Sequence, residues 1–247
     1  VRKLTKEDVY KGFLILVNAD YPIRASNDEN SLAPVGSAGH EVLLTGTAAA
    51  LLQSAMKRLS CEMEIAAVSG FRSRQEQKAI YLDSLRENGR EFTEKYVALP
   101  GHSEHQTGLA VDMALAGPDI DPLTPDFPYD GVCQKFRDAI ARYGFIERYP
   151  QGKEHITRIG HEPWHFRYVG VPHATMIRQS GLSLEEYITM LRGYPFNGER
   201  LRFSGCGRAY EIGFMEAENG IAEMAATDRP YRISGNNVDG FIITKWC

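Results

Sequence analysis

The sequence predicts an α+β domain carrying a small all-β part at its C-terminal end. Three observations lead there. Apolar residues recur at helical spacing between His40 and Leu59, and helix-start signals stand at Ser73 and Ser183. Short apolar runs fall between these helices without a regular βαβ repeat. After Pro195 the chain changes to closely spaced short runs separated by turns containing Gly, Asn or Pro. Residues 1–195 are therefore read as one domain and 196–247 as a β-rich appendage.

Gly12 to Val17 is apolar and rich in strand formers, and Asn18-Ala19-Asp20 and Tyr21-Pro22 follow it, so a strand running into a turn is expected. Residues 26–39 are polar and rich in Asn, Ser, Gly and Pro, which reads as a long loop. The next segment, His40 to Leu59, places Leu44, Ala48, Leu51, Leu52, Ala55, Met56 and Leu59 on one helical face. Glu64 to Val68 reads as a short buried strand. Ser73-Arg74-Gln75-Glu76 fits a capping box, and its helix is expected to end near Asn88-Gly89. A loop through Pro100-Gly101 leads to a strand around Gly108 to Ala114. Pro118 to Tyr129 holds four prolines and reads as a surface loop. Val132 to Tyr143 is helical in pattern and is stopped by Gly144. Strands are expected at Phe145 to Arg148 and Trp164 to Tyr168. Ser183 with Glu186 opens a further helix that Gly193 and Pro195 end. Leu201 to Phe203, Tyr210 to Phe214, Ile221 to Met224, Tyr231 to Ile233 and Phe241 to Trp246 are the short strands of the appendage.

Composition narrows the function classes. The chain has 247 residues, 43% hydrophobic and 24% charged, which is ordinary for a soluble globular protein. A net charge of −4 with scattered basic residues argues against a nucleic-acid surface. No apolar run approaches the roughly 20 residues that span a bilayer. That favours the cytoplasm, although a chain beginning at Val1 leaves room for a removed upstream piece. Cys61, Cys133, Cys206 and Cys247 lie far apart and form no Cys-x-x-Cys pair, so a cysteine zinc site is not expected. Buried or free thiols are the expectation, with a Cys206–Cys247 bridge as the alternative.

The chemistry concentrates in two segments. One runs Ser103-Glu104-His105-Gln106-Thr107-Gly108-Leu109-Ala110-Val111-Asp112, and the other is Glu162-Pro163-Trp164-His165. His105, Asp112 and His165 offer two nitrogens and one oxygen, a donor set that suits one catalytic zinc ion with a fourth position left for water. Glu162 is the candidate general base that activates the attacking water and then delivers a proton to the leaving amine. Gly108 permits a sharp backbone path after His105. Asp112 then sits on the following strand, on the face shared with Ala110. Pro163 disfavours helix at Glu162, so this run is extended. In a regular strand Glu162 and His165 would project to opposite faces, and only a turn or bulge at Pro163 brings both to one metal.

The two motifs resemble the Ser-x-His-x-x-Gly-x-Ala-x-Asp and Glu-x-Trp-His signatures of the VanY/VanXY-type D-alanyl-D-alanine carboxypeptidases and dipeptidases. The likeness extends through Gly70-Phe71-Arg72-Ser73, Ala98-Leu99-Pro100-Gly101, Gly144-Phe145 and Phe166-Arg167-Tyr168-Val169-Gly170, covering roughly residues 10–192. The resemblance implies the small α+β zinc-peptidase fold shared with lysostaphin-like and hedgehog-like domains. It implies that His105, Asp112 and His165 bind Zn2+, that Glu162 is the base, and that Arg72 is the active-site arginine. Gln77 and Ser103 would hold the D-Ala-D-Ala end of the substrate. The substrate class would be a D-Ala-D-Ala-terminated peptidoglycan precursor or the free dipeptide, and the setting glycopeptide (vancomycin) resistance.

Arg72 also has a physical case, because a C-terminal exopeptidase must recognise a carboxylate and neutralise an oxyanion, and a guanidinium serves either need. Arg74 reads as a surface residue. Ser69 departs from the acidic residue expected in dual-activity relatives, so acyl-D-Ala-D-Ala peptides are favoured over the free dipeptide. Trp164 and Phe166 are expected beneath the site, His102 at its rim or just behind its ligands, Glu104 facing solvent, and His155, His161 and His173 in surface or structural roles. The competing readings are an L,D-carboxypeptidase or wall endopeptidase on the same scaffold, and a zinc-stabilised binding domain without turnover. Glu162 argues against the last, since a structural zinc needs no spare carboxylate. The β part carries no readable motif; pairing of protomers into a homodimer, covering the cleft and touching the wall are its open roles.

Overall fold

The computed structural model describes residues 2–25, 31–35, 42–205, 207–218, 222–224 and 229–247. β1 (Arg2–Leu4) and a 3-10 turn (Lys6–Tyr10) come first, followed by the antiparallel pair β2 (Leu32–Val35) and β3 (Val42–Thr45). Next are α1 (Gly46–Leu59), β4 (Ile65–Ser69), α2 (Arg74–Glu87) and α3 (Gly89–Tyr96). A 3-10 turn (Glu104–Thr107) leads into β5 (Ala110–Leu115), and α4 (Gly131–Ala139) precedes β6 (Phe145–Tyr149). A short α5 (Glu154–Thr157), β7 (Glu162–Tyr168), α6 (His173–Ser180) and α7 (Leu184–Leu191) follow. The rest is β8 (Leu201–Gly205), β9 (Arg208–Glu216), β10 (Ala222–Met224), β11 (Tyr231–Gly235) and β12 (Gly240–Trp246).

The central sheet has four antiparallel strands in the order β4-β5-β7-β6. Strand alternation divides its residues between two faces. Val111, Met113, Phe166 and Tyr168 join Leu52 and Met56 of α1 and Phe136 of α4 in the main core. The Phe127, Phe136 and Phe166 rings meet edge to face there. The alternate residues Asp112, His165 and Arg167 therefore point to the opposite face, where the polar chemistry gathers.

A second four-stranded sheet, ordered β11-β12-β9-β8, lies in the C-terminal part. Ile212, Phe214 and Ile242 share a core cluster with Leu14, Leu184, Tyr187 and Leu191. β10 returns to pair with β1. Ending the chain after Pro195 is expected to remove these contacts. Each fully buried side chain of this size is worth about 1.5–3 kcal/mol, so the loss competes with the whole stability of a domain, about 5–15 kcal/mol. A truncated chain that melts at the full-length temperature would refute this.

Several sequence expectations need correction. Leu14 to Val17 is buried but is not a strand. Its backbone is paired by other means: Leu14 N–H donates to Ser234 Oγ, Leu16 N–H to Asn236 O, and Asn237 Nδ2 donates to Leu16 O. Helix α1 starts at Gly46 rather than His40. Val42–Thr45 is strand β3, because its partner β2 lies inside the segment read as loop; residues 26–30 and 36–39 of that segment, with His40, Glu41, Ile221 and the Cys206 end of the Cys206–Cys247 pairing, lie outside the described residues. Helices α3 and α6 were not expected. The Ser73 and Ser183 capping boxes are both present, and Gly144 ends its helix at φ 90°. Cys61 and Cys133 are buried free thiols.

His173 is fully buried, with Nδ1 2.8 Å from Tyr187 Oη and Nε2 2.8 Å from Thr244 Oγ1, so one ring ties α6 to α7 and β12. Burial, aided by the nearby Arg232, pulls its pKa down to about 3. Below the ordinary value of 6.5 the unfolded chain takes up a proton that the folded one refuses. This contribution to stability is complete above that pH and is lost as pH falls, at up to about 1.4 kcal/mol per unit. Unfolding free energies between pH 6.5 and 5 should fall less steeply in His173→Gln than in the parent; equal slopes would dismiss the assignment.

Candidate active site

Three elements deliver the predicted ligands to one point. Asp112 on β5 and His165 on β7 are direct cross-strand partners and so share a face. His105 sits in the 3-10 turn before β5, which Gly108 closes in the left-handed conformation at φ 63°. A Cβ on Gly108 would come within 2.9 Å of Leu32 Cδ2, the movable end of that side chain, so it is the left-handed conformation that favours glycine at this turn. One donor atom from each of His105, Asp112 and His165 lies within 4.8 Å of the others, and all three residues are buried.

Glu162 joins them by a break in strand order. The β6–β7 ladder shifts register between the Glu147↔Phe166 and Tyr149↔Glu162 pairs, so β7 carries extra residues around Pro163 and Trp164. The irregularity frees Glu162 from simple alternation, and its Oε2 lies 3.3 Å from His165 Nδ1. A second bulge, in β4 between Ala67 and Ser69, sets Ser69 opposite Asp112.

Arg72 enters the same cluster from the turn before α2. Its Nη2 donates to Asp112 Oδ2 at 3.0 Å, Nη1 to Gln77 Oε1 at 3.2 Å and Nε to Ser69 Oγ at 3.0 Å. Gln77 lines the cleft, but its amide is engaged at both ends, since Nε2 donates to Ala98 O. In this conformation Gln77 acts on Arg72. Ser103 is buried in the cleft wall, Trp164 also lines the cleft, and Phe166 lies in the core beneath. His102 does not line the cleft; its Nδ1 lies 2.7 Å from Asn18 O. Arg74 and His155 are exposed, and His161 stacks on Tyr129. The cleft holds about 510 Å³ and continues from the cluster along α2 past Asp83 and Glu87.

Glu104 does not face solvent. It is 1% exposed, and its Oε1 accepts from Arg148 Nε at 2.8 Å and Arg167 Nη1 at 2.7 Å. Both arginines are fully buried, and Arg148 also binds Glu185. The sequence signal for this network was faint. A charged residue next to a ligand usually reads as surface, and its partners lie on β6 and β7, far along the chain.

Electrostatics agree with a site built for a cation. Burial and the neighbouring Arg72 pull His105 down to about 4, which leaves it a neutral imidazole near pH 7. Burial opposes ionisation of Asp112, but His105 and His165 overcome it and hold the carboxyl well below its ordinary range. Burial raises the Glu162 carboxyl above its ordinary value against the pull of His165. Around His165, Asp112, Glu104 and Glu162 together favour a positive charge more strongly than burial resists it.

The family model described as VanY, D-alanyl-D-alanine carboxypeptidase, matches residues 43–171, a span holding every residue named above for the cluster. The chain belongs to the VanY family of D-alanyl-D-alanine carboxypeptidases. It is 39% identical over 175 residues to the bifunctional D-Ala-D-Ala dipeptidase and carboxypeptidase VanXYC of Enterococcus gallinarum, covering 70% of this chain and 92% of that protein. The crystal structure of the vancomycin resistance D,D-dipeptidase VanXYg in complex with a D-Ala-D-Ala phosphinate analog is similar at 45% identity and TM-score 0.96, over 100% of this chain and 98% of that one. A mutant of the D,D-pentapeptidase VanY from a VanB-type resistance cassette, solved with Zn(II), matches at 32% identity and TM-score 0.59, over 71% of this chain and 98% of that one.

The VanY-family cluster fits a metal on its own geometry. Asp112 Oδ1 is buried 3.1 Å from His165 Nδ1 yet makes no hydrogen bond, so donor atoms crowd one point without satisfying one another. His105 Nε2 faces the same carboxylate at 3.1 Å, while its Nδ1 is 2.8 Å from Gly70 O, the acceptor that fixes the ring. Two imidazole nitrogens and a carboxylate oxygen are a donor set that would suit a divalent cation. Among the described residues no helix is long and apolar enough to cross a membrane.

Proposed function

We propose that this chain is a zinc-dependent D,D-peptidase that hydrolyses the D-Ala-D-Ala terminus of peptidoglycan precursors, removing the target of glycopeptide antibiotics. The observation that carries the reading is the convergence of Glu162, Arg72 and the His105–Asp112–His165 cluster in one cleft. The similarity to VanXYC, VanXYg and VanY supports the D-Ala-D-Ala substrate.

His105, Asp112 and His165 would hold one Zn2+ ion, which supplies Lewis acidity and lowers the pKa of water toward roughly 7. Glu162 takes a proton from the attacking water and passes it to the leaving D-Ala nitrogen as the peptide bond breaks. Its raised pKa suits both halves of that transfer. Arg72, tethered to Ser69, Gln77 and Asp112, offers its remaining N–H groups to the substrate carboxylate or the developing oxyanion. Ser103 and Gln77 border the bound end of the peptide. Ser69 already accepts from Arg72 and carries no charge, so the ammonium of a free dipeptide finds no counter-charge there, while an acylated peptide needs none. Residues 1–195 carry this chemistry, and residues 196–247 act as a buttress behind it.

The test is release of D-alanine from an acyl-D-Ala-D-Ala peptide by the zinc-loaded protein. Chelation should abolish release and added zinc should restore it. Release of D-alanine from a tetrapeptide with an L,D terminus instead would assign the L,D-carboxypeptidase reading. Zinc binding with no hydrolysis of either peptide would assign a binding domain.

A further inference from the structure

We propose that Glu104 is a positioning residue for this reaction, fixing His165 with its proton on Nε2 so that Nδ1 is the nitrogen offered to the metal. The proposal rests on the zinc-peptidase reading above and adds to it a group outside the ligand set. The two carboxylate oxygens of Glu104 do different things. Oε1 takes both arginine contacts, from Arg148 Nε and Arg167 Nη1. Oε2 takes neither and is buried without a hydrogen-bond partner, 3.7 Å from His165 Nε2, which is likewise buried and unpartnered. A carboxylate present only to neutralise two guanidiniums would spread its contacts over both oxygens in paired fashion. Here one oxygen is saturated and the other is aimed at the histidine.

The arginines hold that aim. Arg148 spends its other nitrogens on Glu185 Oε1 and Oε2, at 2.7 and 3.0 Å. Arg167 Nη2 donates to Phe13 O and Ile15 O at 3.1 and 2.8 Å. Neither guanidinium is free to swing toward Oε2. On the other side of the ring, His165 Nδ1 lies 3.1 Å from Asp112 Oδ1 and 3.3 Å from Glu162 Oε2, in the ligand cluster. His105 is arranged the same way with its nitrogens exchanged, Nδ1 tied back to Gly70 O and Nε2 forward to Asp112. Each ring thus has one nitrogen facing a fixed acceptor and one facing the common point. The 3.7 Å gap is longer than a hydrogen bond, and a ring shift of about 0.5–1 Å closes it. An Nε2–H donated to a carboxylate orients the ring and raises the basicity of Nδ1.

Zinc affinity at pH 7, read by competition with a chromophoric chelator, tests the proposal in Glu104→Gln, with Glu185→Gln as the control. Both changes remove a carboxylate from the same buried network, but only Glu104 faces His165. Glu104→Gln is expected to weaken zinc binding about 10- to 100-fold and to lower kcat with little change in KM. Glu185→Gln should lower the melting temperature while leaving zinc affinity within twofold of the parent. Parental affinity in folded Glu104→Gln, or equal losses in the two variants, overturns the proposal. The unmodified zinc-loaded protein gives a second readout that needs no variant to fold. Long-range proton–nitrogen correlation spectra of histidine-labelled protein should place the His165 proton on Nε2 and the metal on Nδ1; the reverse assignment overturns the proposal. A parent protein that binds zinc in this way but releases no D-alanine would count against the proposed reaction and leave the role of Glu104 standing.

Discussion

Glu162→Gln should lower kcat on an acyl-D-Ala-D-Ala peptide by about 10²- to 10⁴-fold, the usual contribution of a positioned general base, while zinc content stays at the parental level. Gln keeps the shape and the hydrogen-bonding capacity of the side chain and removes only its ability to take a proton. The proposed ligand atoms belong to His105, Asp112 and His165, so metal content has no reason to change. Glu162 is 5% exposed, and burial raises its pKa above the ordinary carboxylate value. As pH falls through that raised pKa the base is protonated and lost. The acid limb of kcat/KM should therefore lie above the range of an exposed glutamate, and should vanish in the variant. Turnover, metal analysis and the pH profile each check one part. Parental turnover in a zinc-replete Glu162→Gln would remove the residue from the mechanism.

Arg72→Ala is expected to lower kcat/KM by about 10²- to 10³-fold, near 2.7–4 kcal/mol, the scale of one lost oxyanion donor. Three of the five guanidinium donors are spent on Ser69, Gln77 and Asp112, which orient the fork before substrate arrives. Arg72→Lys keeps the charge but loses the fork, so it should recover little of the loss. The split between constants identifies the group bound. A raised KM with kcat intact means the substrate carboxylate, and a lowered kcat means the developing oxyanion. Full activity in Arg72→Lys would deny the fork any role.

The convergence of His105, Asp112 and His165 was legible because the spacing is short and local: His105, Gly108 and Asp112 fall within one turn and one strand, and Pro163 marks a break beside His165. The caps at Ser73 and Ser183 were legible for the same reason. What lay beyond reach depended on distant partners. Leu14 to Val17 has a strand's composition, but its hydrogen bonds go to Ser234, Asn236, Asn237 and Arg167 rather than to a neighbouring ladder. The apolar residues of β3 fit a helical period continuing into α1, and only the pairing with β2 divides them. Glu104 was misplaced because its environment is made by two arginines on later strands. The register shift that brings Glu162 to His165 was seen as a requirement, but its form was not readable from Pro163 alone.

The clamping of residues 13–16 between Arg167 on one side and Ser234 to Asn237 on the other has a consequence for protein synthesis. Every side chain of the proposed ligand set has left the ribosome long before strands β11 and β12 are translated, yet the guanidinium beneath them rests on carbonyls that those strands keep in place. A stop codon after Pro195 would spare His105, Asp112, Glu162 and His165 and still remove that support. An intact pair of motifs is therefore a poor guide to a working cleft unless the strands that follow are present as well.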